Sequence, residues 1–480
     1  MKLKKIAALI AIAGMSAPAF ATNGMNMEGY GPVATGMGGA SFAYDNGTAG
    51  MINNPATLGF MASGTSRLDV AVGGLHPDVT TKMAGEPNAN SGGDAYYMPA
   101  IGYIRKDGQL AWGIGMMAQG GMGTEYGKNS FLSGYESYGT LFGGGSTGAS
   151  GLENRSELGI GRVIFPVSFD VSDTFKVGGS VDYLWGGLDL QMVMSGNMFA
   201  QFAGAPGAAA SPLGYANGTM VTGFLGMLGV GDDLNYAQFD FSQGTNKMKQ
   251  ELTTNGWAGN IGFTWKATPQ LSIGGVYHAK THLADMSGNG KINMQVFMGG
   301  ATQNMAVTGK LKVVDFQWPE TFGIGMAYQV NDRLMLAADY KRIGWSDSMK
   351  NFKMQFTASG NAGMLAGLNG TSMTAVLYQD WDDQNVFMFG GSYKYTDALT
   401  LRAGVNLANN PVPKKYMNPL FPATIEDTLT LGFGYAINKA GSVDFSYTYA
   451  PEVSVSNPNM GVKTTHGQSN NWQAMYSHRF

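Results

Sequence analysis

Histidine, carboxylate and hydroxyl side chains are where catalysis would start, and this chain spaces them poorly for it. His278 and His282 stand four residues apart, which on a helix would put two imidazoles over one metal ion. On a strand the same spacing separates them by ~13 Å at ~3.3 Å per residue, so they cannot share an ion. The five histidines fall in no recognisable arrangement with a nucleophilic serine and a carboxylate. With no cysteine there is no thiol nucleophile, thiolate metal site or disulfide. No enzymatic activity, metal or cofactor is expected. What the residue types leave open is binding, either by cations that could hold a carboxylate or by methionine-rich apolar runs that could hold a greasy molecule.

The class of chain that would position such groups follows from composition. Charged residues make up only 13% of the sequence, against ~25% in ordinary soluble proteins, and glycine, at 72 of 480 residues, is about twice as common as usual. A net charge of −3 gives no support to a nucleic-acid partner. The opening "MKLKKIAALIAIAGMSAPAFA" carries Lys2, Lys4 and Lys5, a short apolar run and the small-x-small pattern Ala19-Phe20-Ala21, and predicts a signal peptide over residues 1–21. Beyond it no apolar run reaches the ~20 residues of a membrane-crossing helix. A membrane-resident chain of this kind must therefore be a closed barrel, the other structure that satisfies its backbone in lipid.

The hydrophobic period agrees. Leu429, Leu431, Phe433, Tyr435 and Ile437 alternate with Thr430, Gly432, Gly434 and Ala436, a period of two with the small and polar set on one face. Trp257, Ile261, Phe263 and Trp265 alternate in the same way with Asn260, Thr264 and Lys266. An apolar face ending in aromatics opposite a face of glycine and charge is the pattern of a transmembrane barrel. Short turn sequences at 105–109, 171–174, 267–270, 330–333, 395–398 and 437–441 alternate with longer polar or glycine-rich stretches. Six short turns and seven long loops join fourteen antiparallel strands over residues 67–480, with both termini on the periplasmic side. One long strand is expected from about 309 to 330, with Pro319 inside it. The last strand places Trp472, Tyr476 and Phe480 in a lipid-facing row, and Phe480 reads as the terminal aromatic signal for the barrel-assembly machinery.

In that frame the candidate binding residues take positions. Lys280, Lys341 and Arg402 face the lumen, where they could hold a carboxylate or pair into a charge network. The loop 186–255 contains "GTMVTGFLGMLGVG", and Met220, Val221, Phe224, Leu225, Met227 and Leu228 could line an apolar entry groove or form a helix packed on neighbouring loops. Residues 22–66 do not alternate. This glycine- and turn-rich stretch is too long for an idle tail, too small for a domain, and suited to fold into the lumen as a plug.

Within that stretch "GMGGASFAYDNGTAGMINNPATL", with Asn54-Pro55-Ala56, resembles the N-terminal hatch of the FadL family of outer-membrane long-chain fatty acid transporters. The resemblance continues through "WGIGMMAQGGMGTEY", "WPETFGIGMAYQVNDRLMLAADYKRIGWS" and "NNPVPKKYMNPLFPATIEDTLTLGFGY", in family order. It implies uptake of long-chain fatty acids or similar hydrophobic molecules by a monomer in the bacterial outer membrane. Capture would take place on the loops 119–158 and 186–255. Passage past the hatch and lateral release into outer-membrane lipid would follow, beside an inward kink of the third strand. That kink would lie at Gly113, Gly115, Gly120 and Gly121. Import of aromatic hydrocarbons is the alternative substrate reading; a diffusion porin or an adhesin is the alternative function.

Overall fold

The computed structural model describes residues 23–229, 231–242 and 250–480, so the expected signal peptide lies outside the described residues. No helix in it is long and apolar enough to cross a membrane. The longer strands are β1 (Thr65–Leu75), β2 (Pro77–Met83), β3 (Tyr96–Asp107), β4 (Leu110–Tyr126), β5 (Asn154–Asp170), β6 (Phe175–Ser195), β7 (Asp233–Phe241), β8 (Leu252–Lys266), β9 (Leu271–His278) and β10 (Met286–Met298). They continue with β11 (Ala301–Val314), β12 (Thr321–Gln329), β13 (Leu334–Ile343), β14 (Asn351–Ala358), β15 (Ser372–Tyr378), β16 (Gln384–Lys394), β17 (Leu399–Ala408), β18 (Thr428–Ala436), β19 (Gly441–Asn457) and β20 (Val462–Arg479).

Antiparallel pairings run round a closed wall. They lead from β1 through β3, β4, β5, β6, β8, β9, β12 and β13. From β13 they pass through β16, β17, β18 and β19 to β20, which pairs back onto β1. Closure removes the free edges that lipid could not satisfy. Phe480 completes the seam, its N–H donating to the Ser66 carbonyl at 2.9 Å. Alternation sets the two faces: in β18, Leu429 and Leu431 are 54% and 60% exposed, while Thr430 between them is 2% exposed.

Above the wall the upper end of β6 hands over to β7, and a second tier runs β7–β10–β11–β14–β15. The expected fourteen strands joined by irregular loops are therefore corrected in the loops: among the described residues the main sheet has 23 strands, because the long "loops" contain strands of their own. These escaped the period test because strands standing clear of lipid need no apolar outer face. The single strand expected over 309–330 is also two strands. β11 ends at Val314, Asp315 turns with φ 59°, and β12 begins at Thr321.

Residues from Asn23 to Gly64 lie inside the ring as short turns and helical pieces, among them Pro32–Thr35, Gly50–Asn53 and Pro55–Phe60. They bond to the wall all round it. The Thr48 N–H donates to Asp69 of β1 (2.9 Å), and Lys106 of β3 donates to the Gly59 carbonyl (2.6 Å). Ser41 and Phe42 N–H donate to Asp339 of β13 (2.6 and 2.9 Å), and Thr448 of β19 donates to Glu28 (2.9 Å). This inner segment explains much of the glycine. At Gly404 a Cβ would overlap the Gly38 backbone, and at Gly178 it would meet Ala56 N at 2.5 Å, so wall and segment pack backbone to backbone.

Gly404→Val should therefore leave a heat-modifiable barrel while making the inner segment accessible to protease. Gly391→Val, whose Cβ meets only Leu336 at 3.5 Å, should leave the protease pattern as it is.

Candidate functional site

The wall departs from full pairing between β3 and β4. Their ladder covers Ile101–Asp107 against Leu110–Met116 and stops there, although β3 begins at Tyr96 and β4 continues to Tyr126. Two local features account for it. Pro99 in β3 has no N–H to give. In β4, Gln119 is the extra residue of a bulge between the pairs Ala118–Gly161 and Gly120–Ile160, which re-aims the strand. Higher up the edges rejoin, the Gly92 N–H donating to the Glu125 carbonyl at 2.7 Å. What lies between is an unzipped stretch, with Tyr96–Ala100 on one side and Met117–Thr124 on the other.

The inner segment supplies partners to the freed edge of β4. The Gly121 N–H donates to the Met25 carbonyl at 3.2 Å, and Asn26 bridges to Gly120. The Tyr30 hydroxyl donates to the Gln119 carbonyl (2.6 Å), and the Gln119 side chain donates to Asn26 Oδ1 (2.8 Å). A Cβ at Gly120 would overlap the Met25 carbonyl oxygen. The four glycines expected at the kink thus divide. Gly120 and Gly121 sit at the opening, whereas Gly113 and Gly115 lie in the zipped part, where the Met51 side chain rests against them. A second pairing lapse, between Trp112–Val167 and Gly115–Ile164, falls where Pro166 of β5 has no N–H.

Asn54 is fully buried and pins the inner segment. Its Nδ2 donates to the Phe42 carbonyl (2.7 Å) and to the Phe263 carbonyl of β8 (3.0 Å), while its Oδ1 accepts the Ala56 N–H (3.1 Å). Pro55 starts the helical turn that Asn54 caps, and Ala56 is small enough to lie against Gly178.

The three candidate cations fare differently. Arg402 pairs with Asp444 at 2.8 Å, and Lys280, more than a third exposed, reaches Asp347 at 3.7 Å. Lys341 faces a polar chamber of about 50 Å³ beside the unzipped stretch, shared with Glu28, Gln119, Arg162 and His278. Arg162, which pairs with Asp182 at 2.5 Å, was not singled out in the sequence, although its inward place in the β5 alternation was legible there. Among the described residues no group of three His, Asp or Glu side chains could hold a metal ion.

Of the two readings open for the apolar run, entry groove or packed helix, the structure has the packed helix. In Thr219–Met227, Met220, Val221 and Phe224 are buried, Phe224 lying edge-on to Phe199 at 6.1 Å, and Leu225, Met227 and Leu228 rest on the same core. The cavity lies next to it. It measures about 190 Å³ and is lined by Met192, Met194, Met198, Phe202, Leu377 and Leu420 among others. The methionines of "LQMVMSGNM" were its signal in the sequence, hidden because the top of β6 read as loop.

The sequence matches the family described as outer membrane protein transport protein (OMPP1/FadL/TodX) over residues 7–477. Among solved structures it is similar to the Pseudomonas putida toluene transporter TodX, with a TM-score of 0.79 and 27% identity over 94% of this chain and 99% of that one. The Ralstonia pickettii toluene transporter TbuX gives 0.73 and 30% over the same shares. A Pseudomonas aeruginosa FadL homologue gives 0.63 and 17%, covering 95% and 98%. An uncharacterised Chlorobium limicola protein is 42% identical over 113 residues, and the chain spans about half, 54%, of that relative's length.

Asn54→Ala leaves the Phe42 and Phe263 carbonyls without their donor, a loss of about 1–3 kcal/mol in local stability. Hydrogen exchange at residues 42–58 should speed up accordingly, with exchange in β18 and β19 unchanged.

Proposed function

This chain belongs to the OMPP1/FadL/TodX family of outer-membrane transport proteins, and from that premise we propose that it imports single-ring aromatic hydrocarbons by lateral release through its wall. Its place is the bacterial outer membrane. The hydrocarbon enters the apolar cavity under the second tier and passes the inner segment, which acts as the hatch. It leaves between β3 and β4 into the lipid, while Phe480 serves assembly at the seam.

The observation that carries this reading is the unzipped stretch at Met117–Thr124, because wall backbone without its neighbour strand costs several kcal/mol per group in lipid unless something else meets it, and among the described residues only the inner segment does. The physics of the solute agrees. An apolar molecule gains ~0.8 kcal/mol per CH2 on leaving water, so a sideways exit spares it the periplasm. The substrate proposed is the aromatic alternative and not the long-chain fatty acid expected first. A cavity of about 190 Å³ has room for one ring, since apolar cavities of ~150 Å³ hold benzene. Arg402 is held by buried Asp444 and offers a carboxylate little. The likeness to two toluene transporters also supports it. An inner segment bonded to strands all round the ring speaks against an open diffusion pore.

Cells carrying the protein should accumulate radiolabelled toluene at low concentration several-fold faster than cells without it, and oleate no faster. Gly120→Val, which pushes on Met25 and Trp318, should abolish the difference, with Gly391→Val keeping it. Oleate uptake that depends on the protein, or full toluene uptake by Gly120→Val at equal folded amount, would contradict the proposal.

A further inference from the structure

Between the outer cavity and the unzipped stretch the lumen is filled by three tryptophans. Trp381 Nε1 donates to Gln379 (3.2 Å), which lines the cavity, and Trp318 lines the polar chamber and stands about 3.0 Å from where a Gly120 Cβ would be. Trp345 joins them. Ring centroids are 5.3 Å apart for Trp381–Trp345 and 6.0 Å for Trp345–Trp318, with interplanar angles of 63° and 65°. Exposure of all three is 2% or less.

Aliphatic side chains would fill this space without a polar atom to satisfy. Each indole N–H instead has its own acceptor: Asn26 for Trp318 (2.7 Å), Gln384 for Trp345 (3.3 Å) and Gln379 for Trp381. The rings are therefore held at fixed tilts, each offering an edge or a face to the next. Resting on the import reading above, we infer that Trp318, Trp345 and Trp381 determine specificity, selecting planar aromatic guests over saturated ones of equal size. An aromatic guest moving down the ladder replaces each indole–indole contact by an indole–guest contact of the same edge-to-face kind. A saturated ring breaks the same contacts and returns only dispersion.

Toluene and methylcyclohexane isolate this difference, since they share size and shape and differ in the π system. Uptake of each is measured in cells with and without the protein, and the protein-dependent rates are taken as a ratio. Wild type should favour toluene. Trp345→Leu should lower the ratio about fivefold, equivalent to ~1 kcal/mol at ~1.4 kcal/mol per tenfold, with Trp345→Phe retaining most of it. Trp381→Leu carries the same expectation and decides the matter if Trp345→Leu does not reach the membrane as a heat-modifiable barrel. A ratio unchanged in the leucine variants, or a wild-type ratio near one despite protein-dependent toluene uptake, overturns the inference while leaving import standing. Uptake of neither compound depending on the protein overturns the import reading and this inference with it.

Discussion

In lipid a backbone N–H or C=O has no partner except another backbone group, and that constraint organises this molecule. It forces the alternating strands into a ring and makes β20 return to β1. It also makes the one lapse between β3 and β4 informative. There Pro99 withholds a donor and the Gln119 bulge turns β4 inward, and the groups set free are met by Met25, Asn26 and Tyr30 from inside. The inner segment thus completes the wall at the place where the wall is incomplete. Moving it would uncover the same groups, so the opening and the segment form one unit.

The glycine content belongs to the same arrangement. A segment that must bond to strands on every side of a narrow ring cannot stand off from them by the length of a side chain. Inward positions such as Gly178 and Gly404 let the two backbones touch, and Asn54 and Asp339 fix the register with buried hydrogen bonds. Charged residues are sparing but placed with purpose. Lys106 and Lys176 both reach Asp170 beside the Gly59 turn, holding the lower end of the segment against β3, β5 and β6.

Most of the wall was legible in the sequence, since lipid and lumen impose a period of two and short turns carry their own residue signals. The second tier was not: β10 and β11 bury one apolar face (Ile292, Met294 and Val296; Val307, Leu311 and Val313) but turn a polar face outward, so they lack the lipid-facing apolar row that marks the wall strands. The opening was half legible. Glycines in the third strand of the wall marked its neighbourhood, but only the pairing register separates Gly120, at the gap, from Gly113, which seats Met51. The greasy run at 218–231 left two readings open because hydrophobicity alone does not distinguish a packed helix face from a binding surface. The tryptophan ladder joins residues from three separate loops, a juxtaposition no local pattern reveals.

The absence of cysteine gives a clean background for testing the lateral route. A single cysteine at Ala118, on the outward side of β4 beside the gap, is modified with a bulky thiol reagent, and toluene uptake is compared with that of a cysteine at Ala403, on the outward face of β17. Modification at Ala118 should reduce uptake at least severalfold and modification at Ala403 should not. Equal uptake from both, at complete labelling, would mean that the hydrocarbon leaves by another path and that the unzipped stretch is not its door.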